Sequence, residues 1–200
     1  MFEYNKANFV VNDSDLDDPN TFKLVYTGSV RKVNNLGLLL DVAKKVQNPR
    51  IKLLIWGGGD ELPMLEERIQ SEQISNVVLK GHVDKKYIPS IVSRADVNIA
   101  HNTPTSLFNY GISFNKLFDY LAAGKPILCD FSCQYNPAVL AGAAMTVDRT
   151  DAASIASLIE GMAKLDINEY NKLCQNAKKC AKEYEYKNLA LKLVKVVENC

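Results

Sequence analysis

Lys23-Leu24-Val25-Tyr26-Thr27-Gly28 and Ile51-Lys52-Leu53-Leu54-Ile55-Trp56-Gly57 are two short runs, apolar for most of their length and rich in β-formers, each stopped by glycine. Between them Leu36, Leu39, Leu40, Ala43 and Val46 recur at helical spacing. After the second run, Leu62, Leu65 and Ile69 share one helical face and Glu66, Glu67 and Arg68 another, with Asp60 placed to cap the helix. The alternation then repeats along the chain. Asn76–Leu79 reads as a strand, Asp84 as the cap of a helix through Tyr87 and Ile91, and Asp96–Ala100 as the fourth strand. A long loop leads to a helix over about Asn115–Ala123, where Gly124 suits the left-handed end and Pro126 blocks continuation. Pro126–Cys129 and Ala144–Val147 read as further strands, and residues 151–199 as three successive helices. Near-continuous apolar strands separated by amphipathic helices predict an α/β fold: a doubly wound parallel sheet of about six strands, covered on both faces, with a helical C-terminus.

The bulk properties agree with one ordinary globular domain. The chain has 200 residues, 47% of them hydrophobic, enough to bury a real core. A formal net charge of +1 without a basic stripe argues against a nucleic-acid partner. No apolar run is long enough to span a bilayer, and Met1–Lys6 has no charged segment leading into an apolar one, so no signal peptide is expected. Five cysteines (Cys129, Cys133, Cys174, Cys180 and Cys200), without C-x-x-C spacing, read as buried reduced thiols rather than a zinc site. Free thiols suit a reducing cytoplasm. Residues 1–21 are polar and aperiodic and read as a linker or arm; the domain itself is residues 22–200.

Ligands of an open parallel sheet bind beyond the carboxyl ends of its strands, which directs attention to three loops. The first, Gly28-Ser29-Val30-Arg31-Lys32-Val33-Asn34-Asn35, puts amides and two cations ahead of a helix and suits a diphosphate; a solvated loop is the alternative. The second, Gly57-Gly58-Gly59, is not G-x-G-x-x-G and reads as a structural turn. The third, His101–Phe114, is long and aperiodic, as functional loops are, and leads into Gly111-Ile112-Ser113-Phe114-Asn115-Lys116-Leu117-Phe118-Asp119. Ser113 or Asn115 can cap the helix there. Asp119 lies one turn beyond Asn115, where its carboxylate can receive two vicinal hydroxyls such as those of a ribose, or else simply favour the helix dipole.

Gly111 to Pro126 resembles the donor-site signature of family 4 ("group 1") glycosyltransferases, E-x7-E followed by A-x-A-x-G-x-P. Asp119 falls on the second acidic position, and Ala123-Gly124-Lys125-Pro126-Ile127 on the tail. Thr27–Leu40, Ile55–Gly59, Asn76–Val83 and Ala95–Val97 are similar to further family segments in the same order, so the resemblance covers about residues 23–199. It departs at Gly111, where the family has its first glutamate, and in the first loop, where the family's arginine and lysine fall on Ser29 and Asn34. A subgroup of bacterial capsule and O-antigen synthesis, with G-[VI]-x-x-[SN]-K-[LI]-F-[DE]-Y, is the nearer pattern.

The resemblance implies one Rossmann-like half of a GT-B fold: the C-terminal, donor-binding part of an enzyme whose N-terminal acceptor domain is not in this chain. It implies that Asp119 binds ribose, that the amides of Asn115 and Lys116 with the Lys116 side chain hold diphosphate, and that Gly111, Ile112 and Ser113 face the donor sugar. The backbone near His82 and Val83 would contact the base, and Gly28, Ser29 and Arg31 would line the first loop. His82 is otherwise a surface turn residue. Arg31 and Lys116 are the candidates for stabilising the leaving group; no catalytic base, metal ligand or cofactor is expected. The implied reaction is retaining, metal-independent transfer from a nucleotide diphosphate sugar, with a UDP-sugar expected, to a glycan or lipid-linked acceptor. The enzyme would be cytoplasmic, at most peripheral to the membrane, and this chain alone would bind nucleotide weakly and transfer nothing. A nucleotide-sugar epimerase of GT-B architecture and a non-catalytic nucleotide-binding regulatory domain are the alternatives; an NAD-dependent dehydrogenase is disfavoured, because the first turn lacks the glycine fingerprint. The last helix, carrying Leu189, Leu193 and Val196 on one face, is expected to pack on this domain or on the other.

Overall fold

Six strands form one parallel sheet in the computed structural model, which describes residues 9–199. They are β1 (Phe22–Thr27), β2 (Ile51–Trp56), β3 (Val77–Gly81), β4 (Val97–Ala100), β5 (Ile127–Cys129) and β6 (Ala144–Thr146), in the spatial order β3-β2-β1-β4-β5-β6. The chain winds outward from β1 to one edge, then returns to β4 and winds to the other. The reversal opens a crevice between the carboxyl ends of β1 and β4, the switch point at which such sheets bind ligands.

Strand side chains alternate between two packed faces. Leu24, Tyr26, Leu53, Ile55, Val97, Ile99 and Leu128 meet α2 (Gly37–Ala43), α3 (Leu62–Ser71) and α7 (Ala152–Met162) on one face. Val25, Leu54, Trp56, Ala100, Ile127 and Cys129 meet α4 (Ile88–Arg94), α5 (Asn115–Ala123), α6 (Pro137–Leu140) and α8 (Ile167–Glu183) on the other. The doubly wound α/β fold expected from the sequence is therefore present, strand for strand.

Several local expectations are corrected. Asp60 does not cap α3: Glu61 precedes that helix without a side-chain bond, and Pro63 supplies the preset φ of the first turn. Asp84 makes no capping bond either; a 3-10 turn, Lys85–Tyr87, intervenes before α4, which again starts on a proline. Within residues 1–21, those before Phe9 lie outside the described residues, as does Cys200. From Val11 the stretch is folded onto the domain. Asp13 caps α1 (Ser14–Asp17), Leu16 is buried against Val25, Leu54 and Ile91, and Lys80 lies 2.8 Å from Asp13 and 2.6 Å from Asp15. The acidic run within the stretch that reads as a linker or arm is a capped turn whose charges meet Lys52, Lys80 and Arg94.

Residues 151–199 form three helices, as expected. The last, α9 (Tyr186–Glu198), touches α8 but has no buried residue, and its Leu189, Leu193 and Val196 are exposed, so this apolar face is not covered by the domain. Of the thiols, Cys129 and Cys180 are buried, whereas Cys133 and Cys174 are only half-buried. No described helix is long and apolar enough to cross a membrane.

Candidate functional site

Three loops share the rim beside the switch point because backbone bonds extend the ladder past the strand ends. Gly28 N donates to Trp56 O (3.0 Å), Val30 N to Gly58 O (3.0 Å) and Gly57 N to Gly81 O (2.8 Å). The turn Gly57–Gly59 is structural, as its glycines suggested. A Cβ on Gly57 would lie 1.7 Å from Gly28 O, and one on Gly59 1.9 Å from Val30 O. His82 is exposed and Val83 half-buried on this rim, with the His82 Cβ 3.7 Å from where a Cβ of Gly58 would be.

The first loop is locked from within. Asn34 Nδ2 donates to Ser29 O (2.7 Å) and Ser29 Oγ (2.8 Å), and the Tyr26 hydroxyl donates to Ser29 O (3.1 Å). The two positions at which the family pattern has cations are here partners that hold the loop's shape. Arg31 and Lys32 remain exposed, Lys32 opening a 3-10 turn.

Helix α5 brings Lys116 to the crevice. Tyr120 is fully buried, and its hydroxyl meets Thr27 N at 2.9 Å and Thr27 Oγ1 at 3.1 Å, fastening the helix to the end of β1. Lys116, one turn earlier on the same face, follows this anchor. Its Nζ donates to the Tyr26 hydroxyl (3.2 Å) and to the His101 carbonyl (3.1 Å), and it lies 4.3 Å from the centre of the Tyr26 ring. Burial lowers the Lys116 ammonium to about 8, opposed by the nearby Asp130 carboxylate. Burial also raises the Tyr120 hydroxyl to about 12. The ammonium therefore stays mostly charged at neutral pH, with a third donor for an anion.

Neither Ser113 nor Asn115 caps α5. Phe114 holds the capping position without a side-chain bond; Leu117 N donates to Phe114 O (2.9 Å), and the Asn115 and Lys116 amides before it point out of the helix start. Ser113 and Asn115 are exposed, Ile112 and Asp119 half-buried. Gly111 has φ 112° and ψ 178°, a region open essentially to glycine alone. A Cβ there would also lie 3.4 Å from the Tyr135 Cβ. The backbone here thus disfavours any side chain, the family's first carboxylate included.

Two buried polar residues at the strand ends, His101 and Asp130, form a pair that no local sequence pattern announces. They are 1% and 0% exposed and hydrogen-bonded to each other. The signal was there in principle. Strands β4 and β5 pair Ala100 with Cys129, so the next residue of each is a neighbour of the other.

The fold and this rim define an α/β domain with the Lys116 ammonium and the start of α5 at its switch point. The family "Glycosyl transferases group 1" matches residues 21–164, and the chain belongs to it. No curated protein matches the chain by sequence. Among solved structures, Anabaena Alr3699/HepE in complex with UDP is similar over 100% of this chain and 56% of that one, at TM-score 0.76 and 13% identity. A glycosyltransferase from Rickettsia africae ESF-5 is similar over 98% and 54%, at 0.74 and 13%. The pneumococcal O-GlcNAc transferase GtfA, in complex with UDP and GlcNAc, is similar over 92% and 36%, at 0.63 and 20%. At these identities the likeness is one of fold, to a GT-B glycosyltransferase domain. The chain spans just over half the length of the Anabaena and Rickettsia proteins.

Proposed function

We propose that this domain binds the nucleotide diphosphate sugar of a retaining glycosyltransferase, with UDP as the carrier. The observation that carries the reading is the Lys116 ammonium set over the switch point beside the uncapped start of α5 and the Gly28–Ser29 turn. Lys116 and the α5 amides would take the diphosphate, with Arg31 reaching it from the first loop. Asp119 would bind ribose, His82 and Val83 the base, and Gly111, Ile112 and Ser113 the sugar. As the glycosidic bond to the carrier breaks, negative charge grows on the departing diphosphate, and fixed cations and amides stabilise that charge more than the ground state. No metal or cofactor takes part in this proposal. Family membership supports it, as do the UDP and UDP-glucose complexes of the Anabaena protein. Both ring nitrogens of His101 are engaged inside the domain, which argues against a proton-carrying histidine of the epimerase kind.

The whole enzyme would transfer the sugar to a glycan or lipid-linked acceptor of a bacterial surface polysaccharide, in the cytoplasm or at the inner face of the membrane, and this chain alone would transfer none. A thermal-shift panel of UDP, GDP, ADP, UMP and uridine tests the binding step. UDP should raise the melting temperature with a logarithmic dependence on its concentration, and Asp119→Ala should weaken the effect. A chain indifferent to every nucleotide would sink the reading.

A further inference from the structure

His101 is bonded to three separate segments of the rim. Its Nε2 faces the Asn35 carbonyl at 3.0 Å, its Nδ1 bonds to Asp130 Oδ2, and its own carbonyl receives the Lys116 ammonium at 3.1 Å. A carbonyl only accepts, so Nε2 is the donor to Asn35. Asn35 is the left-handed residue (φ 49°) closing the turn whose Asn34 pins Ser29. The first loop and the residue after β5 therefore meet at the His101 ring, and the start of α5 at its backbone carbonyl.

Asp130 is fully buried, and among the described residues its Oδ1 has no hydrogen-bond partner. A buried carboxylate left half-satisfied is costly, and an amide would serve as well if the sole task were to tie β5 to His101. What an amide cannot supply is charge. The groups around Lys116 are the Tyr26 phenol from β1, His101 beyond β4 and Asp130 beyond β5, with Asp119 and Tyr120 following on its own helix; Asp130 favours the charged ammonium against desolvation.

We propose that His101 and Asp130 are positioning residues for a nucleoside diphosphate: they hold the first loop and Lys116 in register and keep the ammonium charged for the phosphates. This rests on the donor-site reading above. The test is calorimetric titration of UDP and of uridine, from pH 6 to 9, into the wild-type chain and into Asp130→Asn and His101→Gln. Wild type should bind UDP with an affinity that falls as pH passes about 8. Asp130→Asn should bind UDP about tenfold more weakly at neutral pH, the scale of one charge-assisted bond, with uridine unaffected and the pH midpoint moved lower. His101→Gln should also weaken UDP, without lowering that midpoint, because the carboxylate remains. Equal losses for UDP and uridine, or a midpoint unmoved in Asp130→Asn, would make the pair a structural tie and overturn the proposal. A wild type that binds neither probe would overturn the donor-site reading, and the pair's role with it. Should neither variant fold, the His101 ring nitrogen resonances of wild type decide: they should shift with UDP and not with uridine, and no shift with UDP overturns the proposal.

Discussion

On the rim of the sheet, the loop after β2 packs backbone against backbone, whereas the loop after β4 rests on aromatic side chains. Gly57 and Gly59 let the chain pass within contact of Gly28 and Val30, and three ladder bonds hold it there. The loop after β4 instead sits on Phe108, Phe114 and Phe131, whose ring centres lie 4.9 to 5.8 Å apart, and reaches the first loop through Thr103 Oγ1 and Val33 O at 2.8 Å. The first arrangement leaves no room for a side chain and so serves the fold. The second holds its backbone on a cluster of rings and leaves Ser113 and Asn115 exposed, as the proposed donor site requires. Glycine means different things in the two: crowding at Gly59, an unusual φ at Gly111.

Gly59 is a position where the backbone-packed loop has no room for a side chain. Gly59→Ala would drive a Cβ into the Val30 carbonyl, and the backbone must move. A loss of at least about 3 kcal/mol, the upper end of overpacking costs, is expected in urea unfolding. Lys116→Met should leave the fold intact and weaken UDP binding about 10- to 100-fold, while binding to uridine is unchanged. The same substitution sharpens the pH dependence. The Lys116 ammonium is lowered to about 8 in the folded chain from its ordinary 10.5, so between those values the unfolded chain binds the extra proton. Stability contributed by this site therefore rises with pH across that window, while UDP affinity falls. Buried Cys129 and Tyr120, whose protons are held more tightly in the folded chain, oppose that rise in both proteins, so the stability of wild type relative to Lys116→Met, followed by denaturation from pH 7 to 10, is the quantity that should increase.

Smaller effects separate the glycines further. Gly111→Ala and Gly111→Glu should each cost about 1–3 kcal/mol of local strain, and Glu should not improve binding of a UDP-sugar over UDP. Tighter UDP-sugar binding by Gly111→Glu would show that a carboxylate can be accommodated there after all. Gly58→Ala should matter least. Its added Cβ would meet only His82 at ordinary contact distance, and a change of under about 1 kcal/mol, toward greater stability, is expected from the stiffer unfolded chain.

The strands and helices were legible because their signal is periodic, and burial on two faces demands that period. Helix starts were less so. Asp60, Asp84, Ser113 and Asn115 are all good capping types in plausible places, yet proline or bare amides open those helices, since tertiary packing had already fixed the entry of the chain. Lys116 was visible as a cation in the right segment, but its burial depends on Tyr120 anchoring α5 ninety-three residues away at Thr27. His101 and Asp130 stand 29 positions apart and become neighbours only through the register of β4 and β5. What the sequence withheld was therefore long-range pairing at strand ends, which no local pattern encodes.

Burying the Lys116 ammonium also makes the domain a proton acceptor. Near pH 8 about half the molecules lack that proton. A diphosphate placed against the amine favours its charged form, so binding draws protons from the buffer, up to roughly half of one per site at that pH. The heat of nucleotide binding would then depend on the ionisation enthalpy of the buffer chosen. Nucleotide release at alkaline pH would be eased by the departure of the same proton.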